Sequence, residues 1–271
     1  MSPTSDDRLD ELVAAVQSAA KYRFIQAEFV RRIGAQELGK GRTFNEAVKE
    51  TRNKLHQVGG AYQETPPDYA RLSTKLNGLP ADLADAQVLQ FCRQAMRFHA
   101  STRERLPVLA EFYAKIRERI GPLHGVLDLA CGLNPLALPW MGLASDGEYF
   151  ACDIYGDLAG FLNTFFARMG IHGQAEVCDL TSAVPARNVQ VALLLKTLPC
   201  LEQLDKTIGP RLLDKIHAEH LLVSFPSRSL GGHSKGMVQN YTRHFEELLA
   251  GKPWRTECWE VGTELVFWLA R

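Results

Sequence analysis

The sequence predicts an α/β chain, with a helical N-terminal region leading into an open, mainly parallel sheet covered on both faces. Three observations predict it. Apolar residues recur at helical spacing through the first hundred or so positions. Beyond Gly121-Pro122, short apolar runs alternate with helical stretches, as in a sheet whose crossovers are helices. The last two runs flank Gly262-Thr263 as an antiparallel hairpin would. The boundary is expected after residue 106, dividing 1–106 from 107–271.

The helices come first. Leu9, Leu12, Val13, Val16 and Ala20 share one face behind a start signal at Asp6-Asp7. Phe29, Val30, Ile33 and Leu38 form a second stripe, ended by Gly39-Lys40-Gly41. Thr43 and Glu46 are spaced as a capping box for a helix through Val48 and Leu55, stopped by Gly59-Gly60. Pro66-Pro67 separates these from helical stretches over Asp68–Leu79 and Ala81–His99, and a further helix follows Pro107.

The strands follow in turn: Gly125–Ala130, Tyr149–Cys152, Ala175–Cys178, Val189–Leu195 and His220–Phe225, with Leu158–Met169 the clearest crossover helix. Thr256–Val261 and Glu264–Leu269 complete a seven-stranded sheet, the pair lying at its edge.

Composition excludes several classes. With 46% apolar and 23% charged residues in 271, the chain is an ordinary globular one. No run reaches the ~18 apolar residues of a membrane span, and Met1–Asp7 lacks the basic and apolar segments of a signal peptide. The six cysteines show no metal spacing, so no metal site is expected and the thiols read as core. A soluble, reduced, cytoplasmic protein follows. Lys+Arg and Asp+Glu are both 31, yet Lys21–Lys54 holds nine basic residues against four acidic. Net charge zero therefore conceals a basic N-terminal stretch.

In such sheets ligands bind beyond the carboxyl ends of the strands. The first strand ends in Asp128-Leu129-Ala130-Cys131-Gly132, with one glycine where a dinucleotide fingerprint would have three. The second ends in Asp153, 21 residues past Gly132, the spacing at which a carboxylate grips ribose hydroxyls. The third ends in Asp179-Leu180, placed to accept from an adenine amino group. An adenosine ligand without a diphosphate fits best, and S-adenosylmethionine is that ligand. The fourth strand delivers Lys196 straight after an apolar run. Beyond the fifth, the Gly/Ser/basic run Ser227–Met237 reads as a mobile lid or a phosphate contact.

Together, Asp128–Pro135, Pro139–Leu143, Leu193–Glu202, Ser229–Tyr241 and His99–Pro107 resemble the aminoglycoside-resistance 16S rRNA (guanine(1405)-N7)-methyltransferase family over about residues 8–271. The resemblance implies a class I S-adenosylmethionine-dependent methyltransferase, Rossmann-like, with an N-terminal α-helical extension. It implies methylation of N7 of guanosine 1405 in 16S rRNA of the assembled 30S subunit by a cytoplasmic monomer. Resistance to 4,6-disubstituted deoxystreptamines such as kanamycin and gentamicin would follow.

By that resemblance Arg105 grips the methionine carboxylate, with Tyr62, His99, Ser101, Thr102 and Arg103 around it. Ala130 and Gly132 border the methionine, Asp153 the ribose, Asp179 and Leu180 the adenine, and Leu195 and Gln203 lie beside the pocket. Lys196 and Glu202 match positions required for activity, Glu202 acting directly or by fixing Lys196. Ser101–Glu104 is equally the spacing of a plain capping box. Arg31, Arg32, Lys40, Arg42, Lys49, Arg52 and Lys54 are expected on the rRNA-binding surface, and Arg228, Lys235 and Met237 nearer the target base. Two other functions fit the same motifs: a class I methyltransferase acting on a different RNA or other substrate, and a non-catalytic ribosome-binding factor.

Overall fold

A computed structural model describes residues 5–63, 65–228 and 236–271. Among the described residues seven α-helices precede the sheet: α1 (Ser5–Gln17), α2 (Ala27–Gly39), α3 (Phe44–Val58), α4 (Tyr69–Asn77), α5 (Ala86–Met96), α6 (Ala100–Arg105) and α7 (Leu109–Ile120). The Thr43–Glu46 capping box forms as the spacing predicts, with both reciprocal hydrogen bonds present. The Ser101–Glu104 box does not. Helix α6 begins two residues earlier than that box requires, at Ala100 with His99 at the N-cap, so Ser101 lies inside it.

The strands are β1 (Leu123–Leu129), β2 (Leu143–Asp153), β3 (His172–Val177), β4 (Asn188–Leu195), β5 (His217–Pro226), β6 (Arg255–Val261) and β7 (Glu264–Ala270). Between them lie α8 (Leu138–Met141), α9 (Gly156–Arg168), α10 (Leu198–Leu204), α11 (Ile208–Lys215) and α12 (Met237–Leu249). The sheet order is β3-β2-β1-β4-β5-β7-β6. Strands β1 to β5 pair in parallel, and β7 runs antiparallel to both β5 and β6. This is the predicted seven-stranded, mostly parallel sheet.

Strand alternation sorts the core into two layers. Val126, Leu193 and Leu222 join the helical region and α9 on one face, while Leu127, Ala192 and Val223 join α10, α11 and α12 on the other. Each fully buried aliphatic side chain contributes roughly 1.5–3 kcal/mol of transfer free energy. Burial on both faces explains why these strands read as unbroken apolar runs. The helical region is also tied to the sheet by backbone: Gln26 N–H donates to Ile154 O at 2.9 Å and Gly156 N–H to Phe24 O at 2.8 Å. Gly59, just past α3, lets that helix meet Tyr155, where a Cβ would approach the phenol oxygen to 2.9 Å. Among the described residues no helix is long and apolar enough to cross a membrane.

Candidate active site

The sheet order reverses between β1 and β4, and a cleft of about 680 Å³, counted to its open mouth, lies beyond their carboxyl ends. Ala130 follows β1 and Lys196 follows β4, and both line it. They are the two non-glycine residues with positive φ among those described, at 51° and 58°. The left-handed conformation costs an L-residue roughly 1–2 kcal/mol, so both turns are held by their surroundings. At Lys196 the holder is Ser224, whose carbonyl accepts the Lys196 N–H at 2.9 Å. Gly132, φ 50°, lies under His99, and a Cβ there would come within 2.9 Å of the imidazole. Gly132→Ala is therefore expected to lower the melting temperature by several degrees and to weaken cofactor binding by displacing His99. Thermal melts and calorimetric titration with S-adenosylmethionine measure the two effects.

The three strand-end acids separate into three environments. Asp153 lines the cleft, its Oδ2 accepting Gly132 N–H at 2.9 Å and its Oδ1 accepting Ile154 N–H at 2.7 Å. Burial pushes its carboxyl up while those amides pull it down, and burial prevails. Asp179 lines the cleft beside Leu180. Asp128 does not reach it. It is buried beneath, accepting Tyr149 O–H at 2.6 Å and Asn134 Nδ2–H at 2.9 Å, and burial lifts its pKa to about 7. From there it fixes the amide of Asn134.

Tyr62, His99, Ser101 and Leu195 complete much of the wall. Tyr62 and His99 stack with ring centroids 5.6 Å apart, and Cys200 Sγ lies 3.2 Å from the Tyr62 hydroxyl. His99 Nδ1 is buried without a hydrogen-bond partner among the described residues. Burial first, then Arg105 and Lys196, lowers the His99 pKa to about 4. An orphaned neutral imidazole beside two carboxylates suits a ligand with hydroxyl and amino donors, and the lone-glycine turn suits one without a diphosphate. The cleft fits S-adenosylmethionine.

The His99 shift has a consequence for stability. Its folded pKa lies below the unfolded value near 6.5, so its contribution is complete above 6.5 and is lost as pH falls towards 4. The loss is bounded at about 3 kcal/mol. His99→Gln is expected to flatten that limb of a stability–pH curve measured by urea unfolding; an unchanged limb would show the imidazole to be protonated when folded.

Behind the wall runs a buried ionic network. Arg105 Nε donates to Glu264 Oε1 at 2.8 Å and its NH2 to Oε2 at 2.9 Å, while NH1 donates to Asn134 Oδ1 at 2.8 Å. Ser224 O–H donates to Glu264 Oε2 at 2.9 Å. Lys196 Nζ donates to Glu104 Oε2 at 2.6 Å and lies 3.6 Å from Glu264 Oε1. Burial pushes the Glu264 carboxyl up, but Arg105, Lys196 and Ser224 outweigh it and hold it below its ordinary value.

Several expected positions differ. Arg105 is outside the cleft lining, 1% exposed, with its guanidinium engaged by Glu264 and Asn134. Thr102 turns inward and donates to Met96 O at 2.6 Å, and Arg103 is exposed on the outer side of α6. Glu202 does not hold Lys196: its carboxylate faces His244 Nε2 at 2.8 Å, and Glu104 and Glu264 take the lysine. Gln203 is exposed, because the turn of α10 that faces the cleft presents Cys200 and Leu201.

The basic residues are largely paired. Arg31 pairs with Asp10 and Glu28, and Arg32 reaches Asp179. Lys40, Arg42 and Lys54 converge on the buried Glu37, and Arg52 donates to Ala15 O. Lys49 and Arg228 are exposed and Met237 opens α12 half-buried, while Lys235 lies outside the described residues. Sequence reasoning missed Phe29, Val58, Ile154, Tyr155 and Thr197 in the lining, and Glu264 behind it. A glutamate opening a hairpin strand carries no signal of burial.

Comparison with known proteins places this geometry in context. The ribosomal RNA methyltransferase (FmrO) family matches residues 18–268. A 16S rRNA (guanine(1405)-N(7))-methyltransferase of Micromonospora echinospora is 39% identical, covering 97% of this chain and 96% of its own. A protein of the same description from Serratia marcescens is 34% identical, covering 96% and 97%. The crystal structure of the 16S rRNA methyltransferase RmtF in complex with S-adenosyl-L-homocysteine superposes with a TM-score of 0.85 at 34% identity, over 99% of this chain and 100% of that one.

Proposed function

Because the chain belongs to the ribosomal RNA methyltransferase (FmrO) family, we propose that it methylates N7 of guanosine 1405 in 16S rRNA of the assembled 30S subunit, and so confers resistance to kanamycin and gentamicin. It is an S-adenosylmethionine-dependent enzyme. The observation that carries the reading is the cleft at the β1/β4 reversal, with Asp153 on one side and Lys196 on the other.

Guanine N7 carries a lone pair and no proton, so the transfer needs no general base. S-adenosylmethionine, when bound, supplies a methyl group on a positive sulfur. Asp153 holds the ribose, with His99, Ser101 and Tyr62 over the methionine. Lys196 is suited to donate to guanine O6, the acceptor beside N7, and so to aim the lone pair; such orientation contributes up to ~7–11 kcal/mol. Its ammonium would otherwise oppose the positive charge growing on the purine. Glu104 and Glu264 offset it. Arg105 acts on the cofactor side through Glu264 and Asn134, keeping the wall in place.

The helical region supplies the rRNA surface. Lys40, Arg42 and Lys54 share one carboxylate, leaving a local excess of two positive charges, and Lys49 is exposed on α3. Phosphate contacts of this kind position the enzyme without reading sequence. Lys40→Glu, Arg42→Glu and Lys49→Glu together are expected to weaken 30S binding at least tenfold and to lower the salt slope by about one per contact. Unchanged affinity in filter binding would remove this surface from the interface.

The deciding experiment is methyl transfer to naked 16S rRNA, 30S subunits and 70S ribosomes, with the modified base mapped by borohydride–aniline cleavage. Modification of guanosine 1405 in 30S subunits alone is expected. Expression in a sensitive bacterium should give kanamycin and gentamicin resistance with apramycin sensitivity. Modification at another base, or none, would overturn the reading.

A further inference from the structure

Asp153 and Asp179 differ in one respect that bears on cofactor binding. A carboxylate offers about four lone-pair positions. On Asp179 all four are taken. Oδ1 accepts Thr181 N–H at 2.9 Å and Thr181 Oγ1–H at 2.6 Å, and Oδ2 accepts Arg32 Nε–H at 3.1 Å and Arg32 NH2 at 2.8 Å. Arg32 belongs to α2, in the helical region, and its NH2 also donates to Thr181 Oγ1. Its guanidinium lies 5.3 Å from the centre of the Phe29 ring, which itself lines the cleft. Asp179 is buried, but the Arg32 side chain is 34% exposed. The arginine is thus the partner free to swing away.

We infer that Arg32 is a latch that links cofactor binding to rRNA binding. An adenine amino group that donates to Asp179 Oδ2 displaces an Arg32 N–H. Displacement frees a guanidinium on α2, the helix that also carries Arg31, where a phosphate can accept it. Phosphate capture of Arg32 in turn vacates Asp179 for the adenine. The two ligands then strengthen each other by one common factor, as linkage requires. Arg32 in this scheme is a positioning residue, acting on the adenine through Asp179. The inference rests on the methyltransferase reading above.

The test uses the full chain, with S-adenosylhomocysteine measured by calorimetry and 30S binding measured with and without saturating S-adenosylhomocysteine. The wild-type protein is expected to bind 30S subunits at least about fivefold tighter in its presence. Arg32→Ala should bind S-adenosylhomocysteine more tightly than wild type, bind 30S more weakly, and lose the coupling. Thr181→Val opens a position on Oδ1 while Arg32 keeps both of its hydrogen bonds to Oδ2; it too should tighten S-adenosylhomocysteine binding and lose the coupling, which guards against a folding defect in Arg32→Ala. A merely structural arginine would, when removed, weaken cofactor binding and leave the coupling factor intact, and that result overturns the latch. Wild-type protein that binds S-adenosylhomocysteine while its 30S affinity stays indifferent also overturns it. A wild-type protein that binds no S-adenosylhomocysteine would instead sink the methyltransferase reading.

Discussion

Lys196→Ala is expected to lose methyl transfer by roughly two to three orders of magnitude while still binding S-adenosylmethionine, the scale seen when one preorganised donor is removed from a reacting centre. The reason lies in what surrounds the ammonium. Lys196 is 2% exposed at the cleft and is held by Glu104 and Glu264. Its loss removes the donor proposed for guanine O6 and leaves two carboxylates at the wall without their cation. Asp153, proposed to hold the cofactor ribose, is on the far strand and keeps its hydrogen bond from Gly132. Backbone and side chain can be separated. Lys196→Gly relieves the positive φ that alanine retains, and should be about 1 kcal/mol more stable than Lys196→Ala. Both should be inactive on 30S subunits. Full activity in either variant would make the lysine a spectator.

Glu264→Ala is expected to cost about 3–5 kcal/mol of stability, the scale for breaking a buried ion pair by removing one partner. Here the orphaned partner is Arg105, fully enclosed, and Lys196 also loses a carboxylate 3.6 Å from its ammonium. For a chain of this size each kcal/mol moves the melting temperature by roughly 2–4 °C. A fall of about 10 °C is therefore expected in thermal melts. Glu264→Gln keeps the shape and the acceptor oxygen while removing the charge, so its cost should be smaller. A change under 1 kcal/mol in Glu264→Ala would mean that water reaches Arg105 and that the network is open.

The fold was legible because its signals are local. The capping box at Thr43, the unbroken apolar strands and the hairpin at Gly262-Thr263 each depend on residues a few positions apart. The cleft was legible where strand ends alone decide position, as at Ala130, Asp153, Asp179 and Lys196. What failed was partnership across the chain. Nine basic residues between Lys21 and Lys54 read as an open surface, yet Arg32 finds an acid 147 residues away. Gln203 and Glu202 were placed by the resemblance alone, but the phase of α10 turns Cys200 and Leu201 to the cleft instead. Asp128 reads as a strand-end acid like Asp153 and Asp179, but it pairs with Ala151, two residues short of Asp153, and is bound there by Tyr149 and Asn134.

The reversed last strand has a kinetic meaning as well as a geometric one. Because β7 runs opposite to its neighbour β5, its first residue, Glu264, arrives where the parallel strands deliver their last. The pair it forms with Arg105 closes over 159 residues. Contacts of such separation form late, after the chain entropy of the whole intervening loop has been lost. A growing chain that has completed β1 to β5 would hold Arg105 without its carboxylate, and Lys196 with Glu104 alone, at an unfinished wall. Ordering of that wall should then coincide with the docking of β7, so that competence for methyl transfer appears in the final folding step rather than accumulating through the earlier ones.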